Sequence, residues 1–165
     1  MGEAIPDRSA RVELCEISRE NLRDYLRLKV APAQESFVAS NAVSIAQAHF
    51  HPEAWFRGIG AGGTAVGFAM LEDWSLDPAR APEDWKREPY VSLWRFMIDQ
   101  RYQCLGFGAQ AMHLLVERAR AVPGTKAMYL SFVEAEGGPE AFYARFGFVR
   151  TGEVSDGEQV MRLSF

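Results

Sequence analysis

The sequence predicts an α/β (α+β) fold in which one mixed sheet carries helices on both faces. Two observations lead there. The elements read from the chain run β-α-α-β-β-β-α-β-α-β-β, so strands and helices intermingle without strict alternation. At 165 residues and 48% hydrophobic, the chain can bury one substantial core and is too short for two domains of ordinary size. Residues 1–10 read as a flexible tail and residues 11–165 as a single domain.

Taken in order, "VELCEI" (12–17) alternates as a strand, and "SRENLRDYLRL" places Leu22, Tyr25, Leu26 and Leu28 near one helical face behind Ser18 as a cap. Pro32 interrupts. "QESFVASNAVSIAQAHF" (34–50) is a second helical region with a break near Asn41, marked by Phe37, Val38, Ile45 and Ala48. "EAWFRGIG" and "TAVGFAMLE" flank the turn "AGG" as a hairpin over about 53–72. The Asp-, Pro- and Trp-rich stretch after it reads as a long loop of the kind that often forms a binding rim. "YVSLWRFMI" (90–98) is an apolar strand. Ala111, Met112, Leu115, Val116 and Ala119 then mark a helix ended by Pro123 and Gly124, and "KAMYLSFVE" (126–134) returns as a strand. A short helix, "PEAFYARF", opens on Pro139, and "GFVRTGEV" and "EQVMRLSF" close the chain as a strand pair.

Composition excludes several functions. With 22 acidic and 18 basic residues the formal net charge is -4, which offers no footprint for nucleic acid and suits a small cationic substrate better. Cys15 and Cys104 form no C-x-x-C pair, as expected of a reduced, cytoplasmic chain. No apolar run approaches the roughly 20 residues that cross a bilayer, so no membrane partner is expected. His49 and His51 lack further ligands, and no metal is expected.

The most informative stretch is "QRYQCLGFGAQAM" (100–112). Gly106, Gly108 and Ala111 formally satisfy G-x-G-x-x-A, but seven residues separate Ile98 from Gly106, and Lys126 lies where a dinucleotide site needs an acid. A Walker loop fails for want of Gly-Lys-Ser/Thr. Two readings survive: backbone N–H groups at a helix N-terminus, bare of Cβ atoms, that hold a pyrophosphate, or a tight turn.

"RYQCLGFG" followed about 35 residues later by "AFYARFGF" resembles the Gcn5-related N-acetyltransferases (GNAT), with "QESFVASNAVSIAQAHFHPEAW", "VGFAMLE" and "LWRFMID" similar to the diamine and polyamine branch. The resemblance covers most of residues 12–164. It implies the GNAT fold, a mostly antiparallel sheet of six to seven strands splayed between the strands at 90–98 and 126–133. It implies acetyl-CoA as co-substrate, its pyrophosphate on the backbone of Gln103, Cys104, Leu105, Gly106, Phe107, Gly108 and Ala109 and its pantetheine amides against Met97 and Ile98. It also implies a homodimer, although nothing in the sequence marks an interface.

Acyl transfer from a thioester to an amine needs a neutral nucleophile and a proton for the departing thiolate. Tyr143 fits the second role without tuning, since an ordinary tyrosine is protonated at neutral pH. A packed aromatic beside Phe142 and Phe146 is the competing reading. An alkylammonium needs roughly 4 to 5 kcal/mol to be neutral at pH 7. The apolar strand offers no carboxylate to take that proton; Glu72 and Glu134 are the alternatives on the acceptor side, each weighed against a solvated surface acid. Arg95, inside an apolar strand, reads as an ion-paired structural residue or as lining the acceptor cleft, the first being favoured. The acids near the long loop, Glu72, Asp73, Glu83 and Asp84, suit a cationic acceptor, against the reading of a merely solvated loop. Where many relatives carry Asn, this chain has Glu136, so that cofactor contact does not transfer. The expected function is acetyl transfer to a primary amine of a small cationic acceptor, a polyamine or diamine, in a ternary complex. An aminoglycoside-like or peptide amine, a non-catalytic acyl-CoA-binding module and a nicotinamide oxidoreductase are the alternatives.

Overall fold

A computed structural model describes residues 5–165. The elements are β1 (Val12–Cys15), α1 (Leu22–Leu26), α2 (Asn41–Phe50), β2 (Ala54–Ala61), β3 (Thr64–Glu72), α3 (Glu83–Arg87), β4 (Tyr90–Ile98), α4 (Phe107–Arg120), β5 (Ala127–Phe132), α5 (Glu140–Ala144), β6 (Val149–Ser155) and β7 (Glu158–Ser164). The strands form one seven-stranded sheet in the order β1-β2-β3-β4-β5-β7-β6. Every pairing is antiparallel except that of β4 with β5. The mixed sheet read from the element order is present, and it is mostly antiparallel as the family resemblance implies.

Helix α4 makes the crossover between the two parallel strands, and its stripe at 107, 111, 112, 115, 116 and 119 is buried, the spacing of one helical face. Arg118 and Arg120 lie in its last turn, where cations complement the exposed carbonyls. On the sheet face under α4 and α5, Val91, Leu93, Met128, Leu130, Phe132 and Met161 pack with Phe107, Met112 and Tyr143. Phe68, Met70 and Met97 face the other way, packing with Tyr25 and Leu28 and against Val38 and Ile45. Strand alternation therefore assigns Tyr129, Ser131, Glu158 and Arg162 to the α2 face.

Two breaks in regularity shape the middle of the sheet. The β2–β3 hairpin turns at Gly62 and Gly63, with φ of 56° and 82°, the left-handed pair a two-residue turn needs. In β4, Leu93 pairs with Leu71 and Arg95 with Met70, which leaves Trp94 as the extra residue of a bulge. The bulge breaks the alternation, so both Trp94 and Arg95 turn toward α2, where Arg95 Nη2 donates to Gln47 Oε1 at 3.3 Å.

Several elements differ from expectation. Helix α1 spans only five residues, and Ser18 does not cap it: the Ser18 N–H donates to Asn21 Oδ1 at 2.7 Å, which fixes a turn ahead of the helix. Helix α2 begins at Asn41 behind Ser40, whose hydroxyl accepts from Val43 N. Upstream, Pro32–Gln34 is a 3-10 turn whose Gln34 side chain folds back onto Ala31 N, which ends any helix there. The long loop after β3 holds α3, with Glu83 and Asp84 in its first turn, Lys86 and Arg87 in its last, and Trp85 Nε1 donating to Tyr90 O at 2.9 Å. Of the residues read as a tail, 1–4 lie outside the described residues, and Ala10 N closes a turn onto Asp7 O at 2.8 Å. Among the described residues, no helix is long and apolar enough to cross a membrane.

Candidate active site

Pairing between β4 and β5 runs from Tyr90↔Ala127 to Leu93↔Leu130 and stops. Beyond it the strands part, because β5 continues on β7 through Ser131 and Phe132 while residues 95–98 of β4 stay on β3. The opening is a cleft of about 1470 Å³ that passes through the sheet. Gly106, Gly108, Ala109, Phe142 and Tyr143 line it on the α4 side, and Glu72, Asp84, Trp94, Arg95 and Glu158 on the α2 side.

At the α4 side, Gly106 is the N-cap with φ 89° and has no side chain to cap the helix. A Cβ there would meet nothing within 4 Å, so the loop faces open space. The first α4 amide that bonds back is Gln110 N, to Gly106 O at 3.2 Å, which leaves those of Phe107, Gly108 and Ala109 directed outward. Cys104 adds a second left-handed residue at φ 61°. Successive amides in this conformation make an anion-sized concavity. The side chain of Phe107 is fully buried and that of Leu105 packs against the core, so these two present only backbone. Met97, Ile98, Gln103 and Cys104 line the cleft. Gln103 Nε2 donates to Ile98 O at 3.0 Å and to Gln34 Oε1 at 2.8 Å, clasping the loop to the end of β4.

Tyr143 is 8% exposed, packed edge-on against Phe142 and Phe148. Phe142 in turn stacks on Phe96, which ties α5 to the open part of β4. Burial pushes the phenol up to about 12, so the expectation of an untuned tyrosine is corrected. Full proton transfer from an ordinary phenol to a thiolate of pKa about 8.5 is already uphill by roughly 2 kcal/mol. The same dry surroundings raise a thiol too, so Tyr143 suits donation to a thiolate formed beside it rather than in water.

The two acceptor-side acids part company. Glu72, at the end of β3, lines the cleft, and its carboxyl is raised, first by burial and further by Glu53; the Trp74 indole N–H, which has no partner of normal geometry, and His51 pull the other way. Glu53 is itself 5% exposed, with its Oε1 2.8 Å from His51 Nδ1. Glu134 lies outside the cleft, ion-paired with Arg150 at 2.7 Å on the surface.

Of three further cleft residues, Arg95 and Asp84 were weighed in the sequence, and Glu158 escaped it. Arg95 has no carboxylate within 4 Å among the described residues, which corrects the expectation of an ion pair; its Nε is buried without a partner and its Nη1 donates to Trp94 O at 2.9 Å. Glu158 accepts from the Ser131 hydroxyl, and Asp84 from Tyr90 at 3.1 Å. A bulge and the β5–β7 register bring Arg95 and Glu158 to one side of the cleft, and neither leaves a local motif. Six carboxylates and three arginines line the cleft, a balance that favours cations. No group of three or more His, Cys, Asp or Glu able to hold a metal occurs among the described residues.

Residues 15–148 match the acetyltransferase (GNAT) family, and the chain belongs to that family; it is an acetyltransferase. Among curated proteins it is 32% identical over 149 residues to the spermine/spermidine N(1)-acetyltransferase of Bacillus subtilis, a match covering 88% of this chain and 93% of that protein. Among solved structures, an acetyltransferase of Thermus thermophilus shares the fold with a TM-score of 0.71 at 13% identity, over 94% of this chain and 97% of that one. So does the PaiA N-acetyltransferase of Thermoplasma acidophilum in complex with coenzyme A, with a TM-score of 0.64 at 15% identity, over 93% and 99%.

Proposed function

We propose that this enzyme moves an acetyl group from acetyl-CoA to a primary amine of a small polycation, a polyamine or diamine, within one ternary complex. The observation that carries the reading is the cleft itself: amides and a buried tyrosine at one mouth, an acidic lining at the other. The similarity to the spermine/spermidine N(1)-acetyltransferase supports the same acceptor class.

In this reading the amides between residues 103 and 109 hold the diphosphate, and the edge of β4 at Met97 and Ile98 guides the pantetheine arm toward Tyr143. Because Ile98 O already accepts from Gln103, the clasp limits what that carbonyl can still pair with. The amine nitrogen bonds to the thioester carbonyl carbon, the C–S bond breaks, and the sulfur takes a proton from Tyr143. The proton lost by the amine goes to Glu72, directly or through water, a carboxyl whose hold on a proton burial strengthens.

Thiol release from acetyl-CoA is the test, with spermidine, spermine and putrescine set against an aminoglycoside and a peptide amine. The reading expects kcat/KM for a polyamine to exceed the others by at least about tenfold. A panel without preference sinks the acceptor class, and failure of coenzyme A to raise the melting temperature sinks the co-substrate.

A further inference from the structure

Arg95 is an oddity in an acidic cleft. It stands two residues past the last β4–β5 pair, where the opening begins. The β4 bulge aims it to the α2 side, into the half of the cleft lined by Glu72, Asp84 and Glu158. Its hydrogen bonds go to neutral oxygens, Trp94 O and Gln47 Oε1, and its Nε has none. From α2 it faces Gln47, and opposite it on β3 is Met70, neither of which is charged. Glu158 at the start of β7 is the acid whose field reaches it, and that carboxylate is already engaged by the Ser131 hydroxyl. Burial disfavours its charge, yet a guanidinium remains protonated in proteins.

We propose that Arg95 is an amine-neutralising residue: its fixed positive charge at the neck of the cleft lowers the pKa of the acceptor nitrogen lodged beside it, while a second, still charged nitrogen of the same acceptor rests on the acidic lining. This rests on the polyamine acetyltransferase reading and deepens it. It supplies what β4 lacks, a means of making the nucleophile neutral. A cation beside an amine in dry surroundings is an established way of depressing its pKa. It also imposes a selection, since a nitrogen with no distal partner loses the acidic anchor and meets only the repulsion. An acceptor carboxylate would pair with Arg95 but would lie against Glu158 and the surplus of acids, and the arrangement disfavours it.

The experiment is an NMR pH titration of 13C-labelled putrescine bound to the enzyme with coenzyme A, a complex that cannot turn over. Wild type is compared with Arg95→Met, which keeps the length and apolar stem, and with Arg95→Lys, which keeps the charge. The proposal expects one of the two putrescine nitrogens to titrate at least about one unit below its value in free putrescine in wild type and Arg95→Lys, and within a few tenths of that value in Arg95→Met. The acidic limb of kcat, which reports groups in the bound complex, should move up in Arg95→Met by the same interval. Superimposable titrations in wild type and Arg95→Met overturn the proposal alone. Absence of putrescine binding overturns the polyamine reading and this with it. An amino acid preferred over putrescine by wild type but not by Arg95→Met also overturns it, by making Arg95 a carboxylate site.

Discussion

Tyr143→Phe removes one oxygen that has no hydrogen-bond partner among the described residues and leaves the ring packing on Phe142 and Phe148 in place. The variant should fold as wild type does, bind coenzyme A within about twofold, and lose kcat by about 10²-fold, the size of a missing general acid. Equal loss of cofactor affinity would assign the hydroxyl to binding instead. Glu72→Gln tests the other proton. In the role proposed for it, Glu72 ceases to accept a proton as pH falls through its raised pKa, so the acidic limb of kcat/KM should lie higher than an unshifted carboxylate would place it. The variant should be slower by about 10²-fold near pH 7, with the deficit shrinking toward pH 10 as the amine is neutralised by solvent. A deficit independent of pH would place Glu72 in acceptor binding alone. Tyr143 was legible because its neighbours form a local pattern, "AFYARFGF". Glu158 was not, nor was its approach to Arg95, because their meeting depends on a bulge and on a strand register 63 positions away in sequence.

At the scale of elements, the pattern located the seven strands and α4 within a few residues, and all of them except the exposed edge strand β6 carry buried residues. Helix α3 is five residues, too short for a stripe to register, and Trp85 fixes its position, while the stripe read for α1 overran the five residues it spans because Asn21 holds a turn ahead of it. The end of β3 shows how such local polar ties hold the cleft wall. Asp73, 1% exposed, receives Ser75 N on one oxygen and Arg118 of α4 on the other at 3.0 Å, while its own N–H donates to Glu53 O at 2.8 Å. Asp73→Ala strands the arginine and should lower stability by about 3 kcal/mol, a fall in melting temperature of about 10 °C. Because Asp73 follows Glu72 directly, the acidic limb should also blur if the wall loosens. A melting temperature within about 2 °C of wild type would mean that Arg118 finds its support from the Trp55 ring, 4.9 Å away.

For the molecule as a whole, buried phenols make alkaline pH the weak side. Tyr143 titrates near 12 in the folded chain and near 10 when unfolded, so its contribution is complete below about pH 10 and is lost as pH climbs toward 12. Tyr25 and Tyr90, also raised chiefly by burial, lose theirs in the same direction. Melting temperature should hold steady from pH 8 to about 10 and then drop, with tyrosinate absorbance rising in the same transition; ionisation of these phenols without loss of fold would contradict this. The sheet order itself could be expected only through resemblance to a family, because strand adjacency leaves no mark in composition or period.

The gap between β4 and β5 opens on both sides of the sheet, amides at one mouth and acids at the other. Two reactants admitted through separate entrances never queue. Were thioester and amine to use one mouth each, neither product would block the departure of its counterpart, and addition should be random in order, with the intersecting initial-rate lines that any ternary complex gives.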